Sequence, residues 1–152
     1  SYEFEPCDFM KTQELYISQY QQYIKEPGED LRSILQGITQ FKGHIHLSVT
    51  PTITREELAE CDLQEKNQKF SSLAAIIDKR IHSHYKIWNN NYIAYDLLNN
   101  SQQYVNRYTA AEKDTFVQYM ENGLKGLRGE PDELRSLFLR IYAGAVCNSI
   151  PE

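Results

Sequence analysis

The run Gly43-His44-Ile45-His46-Leu47-Ser48-Val49-Thr50-Pro51 constrains the fold most. Ile45, Leu47 and Val49 alternate with His44, His46 and Ser48, the period of a half-buried strand. A shorter alternation opens the chain, where Tyr2 and Phe4 interleave with Glu3 and Glu5. Between them Leu31, Ile34, Leu35, Ile38 and Phe41 recur at helical spacing, predicting a helix from Asp30 to Phe41. Strand, crossover helix, strand favours a parallel pair joined right-handedly. Two strands are not stable alone, so the pattern reads as the remnant of a larger sheet. The chain opens on Ser1, without an initiator Met, directly in a strand pattern. That reads as a piece cut from a longer protein.

The remainder reads as helices. Lys11 to Tyr23 is rich in Gln and Tyr, without a clean period. Thr54-Arg55-Glu56-Glu57 matches the Ser/Thr-x-x-Glu capping box and predicts a short helix from Arg55. From Gln64 to Trp88 the residues Phe70, Leu73, Ala74, Ile77, Ile81, Tyr85 and Trp88 form one stripe of a long helix. Asn89-Asn90-Asn91 interrupts it, and Tyr92 to Leu98 starts another. A second capping box, Thr109-Ala110-Ala111-Glu112, opens a helix burying Phe116, Met120, Leu124 and Leu127. Pro131 with Asp132 and Glu133 opens the last. The expected fold is therefore α+β and predominantly helical. Residues 1–54 would be strand-helix-strand, the end of an α/β domain; residues 55–152 would be a helical region.

With 152 residues, 41% of them apolar and 24% charged, the chain is long and apolar enough for one folded domain. Net charge is −5, unevenly spread: −6 over residues 1–62 and +1 over residues 63–152. No basic stripe offers phosphate contacts, which excludes nucleic acid as a partner class. Cys7, Cys61 and Cys147 are odd in number and widely spaced, which fits a reducing compartment better than a disulfide framework or a zinc site.

Candidate sites are sparse. His44 and His46 are two apart on the expected strand and would face one metal ion from the same side. No third ligand stands at a ligand-like spacing, so a polar strand face is preferred and no metal is expected. Lys79, Arg80 and Lys86, around His82 and His84, form a basic patch able to meet lipid phosphates. The plainer reading is a solvated helix face. No nucleophile elbow, phosphate-cradling glycine loop or His-Glu-x-x-His is present, and no cofactor and no catalytic residue is assigned.

Several stretches together carry a resemblance: Ser1-Tyr2-Glu3-Phe4-Glu5-Pro6-Cys7-Asp8, Glu14-Leu15-Tyr16, Lys25, Glu29-Asp30-Leu31 and Lys42-Gly43-His44-Ile45-His46-Leu47. Tyr92-Ile93-Ala94-Tyr95-Asp96-Leu97-Leu98 and Arg140-Ile141-Tyr142-Ala143 extend it toward the C-terminus. The chain resembles the region after the fourth conserved block of bacterial glycerolipid acyltransferases, the glycerol-3-phosphate and 1-acylglycerol-3-phosphate acyltransferase family. The family's catalytic His-x-x-x-x-Asp is not matched, since none of His44, His46, His82 and His84 is followed by Asp five residues on. The resemblance implies the C-terminal portion of an O-acyltransferase of phospholipid biosynthesis, inactive by itself. Acyl-CoA or acyl carrier protein would be the donor, and a glycerol phosphate or lysophospholipid the acceptor. Tyr2, Glu3 and Lys25 would lie near substrate. The place of action would be the cytoplasm, with peripheral contact at the inner face of the membrane. Two other classes stay open: a non-enzymatic helical interaction module, and a metal-dependent enzyme using His44 and His46.

Overall fold

The computed structural model describes residues 1–148. It is all-helical, in the order α1 (Asp8–Tyr20), α2 (Glu29–Thr39), α3 (Arg55–Asp62), α4 (Lys66–His84), α5 (Asn89–Leu98), a 3-10 turn (Val105–Arg107), α6 (Ala110–Leu124) and α7 (Pro131–Cys147). The chain forms two compact units: Ser1–Ile45 with Ile87–Glu152, and His46–Lys86. The boundary expected at residue 54 falls inside the second unit.

The expected α+β fold is corrected here, because no strand exists among the described residues. The two alternating segments do meet, but antiparallel and through one isolated bridge, Tyr2 to Ile45. The Glu3 N–H donates to the His44 carbonyl at 3.0 Å and the Phe4 N–H to that of Lys42 at 3.1 Å. Alternation marks a strand only where a surface covers one side. Here Leu47 and Val49 remain 87% and 90% exposed, and Phe4 enters a helical core instead of a sheet face.

That core belongs to the first unit. Ile93 and Ala94 of α5, Phe116 and Met120 of α6, and Phe138, Leu139, Tyr142 and Ala143 of α7 enclose Phe4. Its rings meet at offset and edge-on angles: Phe116 lies 5.0 Å from Tyr142, and Phe9 stacks on Phe138 at 5.1 Å. α1 packs on α7 with a largely polar face, which is why no apolar period announced it. Asp8 and Thr12 are its buried residues. Gln13 exchanges two hydrogen bonds with the backbone of Arg128, and the Tyr20 hydroxyl donates to Glu133 at 2.5 Å. Phe9 reaches α6 where Gly123 leaves room; a Cβ there would collide with its ring.

α5 starts on the asparagine triplet itself. The Asn91 side chain accepts the Trp88 N–H at 2.7 Å, capping the helix, and donates to the Tyr142 carbonyl at 3.0 Å. Asn90 donates to the Glu3 carbonyl at 2.7 Å, and Asn89 to Glu112 at 2.8 Å. Buried Asn is tolerated here because its amide is matched to backbone groups.

In the second unit α3 and α4 pack together. Both capping boxes form as read, Thr54 with Glu57 and Thr109 with Glu112. Glu57 also receives both hydrogen bonds of Arg80 Nη2 at 2.7 Å, tying α4 to the start of α3.

The buried carboxylate of Asp96 anchors the loop after α5. It accepts from the Ser101 hydroxyl at 2.6 Å, the Tyr104 N–H at 3.0 Å and the Tyr108 hydroxyl at 2.9 Å. Burial pushes this carboxyl up, but the hydrogen bonds outweigh it and hold it below its ordinary value. Burial and the Asp96 hydrogen bond push the Tyr108 phenol up to about 12. A carboxyl lowered in the native state stabilises the fold above its unfolded pKa, near 3.9, and loses that contribution as pH falls through the native value. Asp96→Asn is therefore expected to cost about 1–3 kcal/mol at neutral pH. The gap in melting temperature from the parent should narrow between roughly pH 5 and pH 2; a gap independent of pH would contradict this account.

Candidate functional site

Of the sequence candidates, Tyr2 and Glu3 lie where the N-terminal segment crosses residues 42–45. Glu3 is the organiser. Its Oε2 accepts the His44 N–H at 2.9 Å and pairs with His44 Nδ1 at 2.7 Å. A carboxylate can only accept, so Nδ1 donates in this pair and Nε2 is the ring nitrogen turned to other partners. The imidazole stacks on Trp88 with centroids 5.8 Å apart and planes at 22°. Gly43 makes the pair possible: its φ is 61°, and a Cβ would run into the Glu3 carboxylate. The arrangement gives an oriented imidazole on the surface.

The N-terminal segment is fixed by a more deeply buried carboxylate, that of Asp8. Asp8 is 1% exposed. Its Oδ2 accepts from the hydroxyls of Tyr142 at 2.7 Å and Tyr119 at 2.9 Å; its Oδ1 accepts from the Phe9 N–H at 2.8 Å and the Gln40 amide at 3.1 Å. Gln40 also accepts the Cys7 N–H at 2.9 Å, and the Glu5 N–H donates to the Tyr142 hydroxyl at 3.0 Å. Burial first, then the charge of Asp8, pushes the phenols of Tyr119 and Tyr142 well above the usual tyrosine range. Both stay protonated and serve as donors. The sequence reading missed this network; eleven tyrosines in a chain of this length were its one visible signal.

Lys25 pairs with Asp30 at 2.6 Å. Lys79 and Lys86 are exposed, whereas the Arg80 guanidinium is committed to Glu57, and its buried Nη1 has no partner among the described residues. His46 Nε2 lies 3.1 Å from the His84 carbonyl. No group of three or more His, Cys, Asp or Glu among the described residues is placed to hold a metal ion. No described helix is long and apolar enough to cross a membrane. A depression of about 280 Å³ lies between the end of α6 and the start of α7, walled by Leu124, Leu127, Pro131 and the ion-paired Glu121 and Arg135; none of the sequence candidates lines it.

Tyr142→Phe removes one donor to Asp8 and the acceptor of the Glu5 N–H. It is expected to lower stability by about 1–3 kcal/mol in urea unfolding. Tyr119→Phe should cost less, since Tyr119 is only half-buried. The double variant should depart from additivity by at least about 0.5 kcal/mol, because the two share Asp8; strict additivity would show that the network does not act as one unit.

Compared with known protein families, curated proteins and solved structures, the chain matches none.

Proposed function

We propose that the chain is the C-terminal portion of a bacterial glycerolipid acyltransferase, inactive alone, which stabilises the enzyme and shapes access of the acceptor. The supporting observation is the convergence of the stretches that carry the resemblance. The Tyr2–Asp8 segment lies against Lys42–Ile45 through the Glu3 and Phe4 backbone bonds. Asp8 is held by Tyr142, and Asn90, at the start of the helix that contains Tyr92–Leu98, donates to Glu3. Stretches up to 137 residues apart thus form one hydrogen-bonded assembly, as parts inherited together would. In this reading the donor is acyl-CoA or acyl carrier protein and the acceptor a glycerol phosphate or lysophospholipid. The enzyme works in the cytoplasm at the inner face of the membrane. The surface pair Glu3–His44, with Tyr2 beside it, is the part of this chain nearest the acceptor; Lys25, paired with Asp30, contributes shape only.

A second reading, a non-enzymatic protein-interaction module, is favoured by the exposed apolar side chains of α2. One assay separates the two. The full polypeptide that carries this chain is incubated with labelled acyl-CoA or acyl carrier protein and glycerol 3-phosphate or lysophosphatidate. Transfer by the full polypeptide, none by residues 1–152 alone, and a joint loss of activity and melting temperature in Tyr142→Ala are expected. Absence of transfer for every donor and acceptor pair leaves the interaction module.

A further inference from the structure

α2 is turned inside out. Toward its own unit it presents small and polar groups. The Ser33 carbonyl accepts the Cys7 Sγ–H at 3.3 Å, a Cβ on Gly37 would lie 3.8 Å from the same sulfur, and Gln40 joins the Asp8 network just past the helix end. Residues 33, 37 and 40 share one face by helical spacing. Leu31, Ile34, Leu35 and Ile38 lie on the opposite side, 61%, 59%, 53% and 70% exposed, and α2 has no buried residue. An 11-residue helix is short of the ~12–15 residues at which isolated helices become marginal in water, and such helices owe their stability to packing of the amphipathic face. The packed face here is the polar one.

We propose that the outer face of α2 docks into an aliphatic groove of a partner protein whose rim is basic near the first turn of the helix. The spacing of Leu31, Ile34, Leu35 and Ile38, at i, i+3, i+4 and i+7, is that of a helix anchored in a groove. Charge selects the occupant. Interfacial membrane helices carry Lys and Arg on their polar face. The cations around α2 are already engaged: Lys25 with Asp30 at 2.6 Å, Arg32 with Glu26 at 2.9 Å, and Lys42 with the carbonyls of Ile38 and Gln40. Glu29, in the first turn, is bonded by the Tyr23 hydroxyl at 2.6 Å and the Glu26 N–H at 2.9 Å. Lys25 and Arg32 act on it through space while paired with Asp30 and Glu26, so three carboxylates share two cations at this end of the helix. The whole unit holds 10 Lys and Arg against 15 Asp and Glu, a net −5. An anionic bilayer is repelled by that balance, and a second copy would set two such units face to face. The outer side chains expose roughly 500 Å² together, short of the ~800 Å² per partner of a stable specific interface. A groove supplies the difference along the flanks of the helix. The inference stands independently of the acyl-transfer reading.

The test places a benzophenone amino acid at position 38 of the full polypeptide in its native cell, followed by irradiation and sequencing of the cross-linked peptides. One adduct is expected, to an apolar segment of another protein flanked by Lys or Arg. Ile34→Asp, at an exposed position and so without effect on the melting temperature, should reduce its yield at least tenfold. The same probe at Ser18, on the exposed side of α1, should not form it. An adduct to lipid, to a second copy or to nothing would overturn the proposal. So would sedimentation of the purified chain with phosphatidylethanolamine–phosphatidylglycerol vesicles, or a concentration-dependent dimer, if either is abolished by Ile34→Asp.

Discussion

A carboxylate withdrawn from water must recover in hydrogen bonds what it loses in hydration, and Asp8 does so with four donors drawn from α1, the end of α2, α6 and α7. Few other arrangements would do. Tyrosine hydroxyls raised far above their usual range cannot release their protons and compete for the charge, so their roles are fixed as donors. The Tyr142 hydroxyl, which also accepts from Glu5, links the N-terminal segment to the last helix. The aromatic core, which includes Tyr142, packs at the buried Asp8 end of this network, where low polarity makes each bond stronger and each missing partner more damaging. Position of the N-terminal segment, and hence of Glu3 and His44, follows from that one buried charge.

The helices with apolar faces were legible in the sequence, except that α4 ends at His84 and leaves Tyr85 and Trp88, expected on its stripe, outside it. The starts whose chemistry is local were legible too. Thr54 with Glu57, Thr109 with Glu112, and Pro131 act within a few residues of themselves, so their meaning survives without tertiary context. Hidden features depend on distant partners. α1 hides its helical character because the groups it turns inward include Asp8, Gln13 and Tyr16, whose partners on Gln40, Tyr119, Arg128, Glu130 and Tyr142 lie far along the chain. The asparagine triplet looked like a break because asparagine competes with helical backbone when it stands alone. Here Glu3, Tyr142, Trp88 and Glu112 occupy its amides.

The two strand patterns misled for a related reason. Alternation in residues 44–49 records which side of an extended chain is apolar, not whether a neighbour lies against it. One bridge forms, and the rest stays extended and open. Of the candidate site, Glu3 and His44 were each singled out, on different grounds. Their pairing was not legible, because it depends on the chain returning antiparallel and on Gly43 leaving space for the carboxylate.

The first unit is discontinuous in sequence, residues 46–86 being inserted within it. This has a consequence for biosynthesis. Asp8 leaves the ribosome 134 residues before its Tyr142 partner. At roughly 5–20 residues per second that interval is about 7–27 s. The second unit, residues 46–86 with α3 and α4, is synthesised in full before the first can close. The N-terminal segment waits, its future core residue Phe4 uncovered, until the last helix arrives. During that interval the segment around Phe4, although made first within this unit, is the part left open to chaperones.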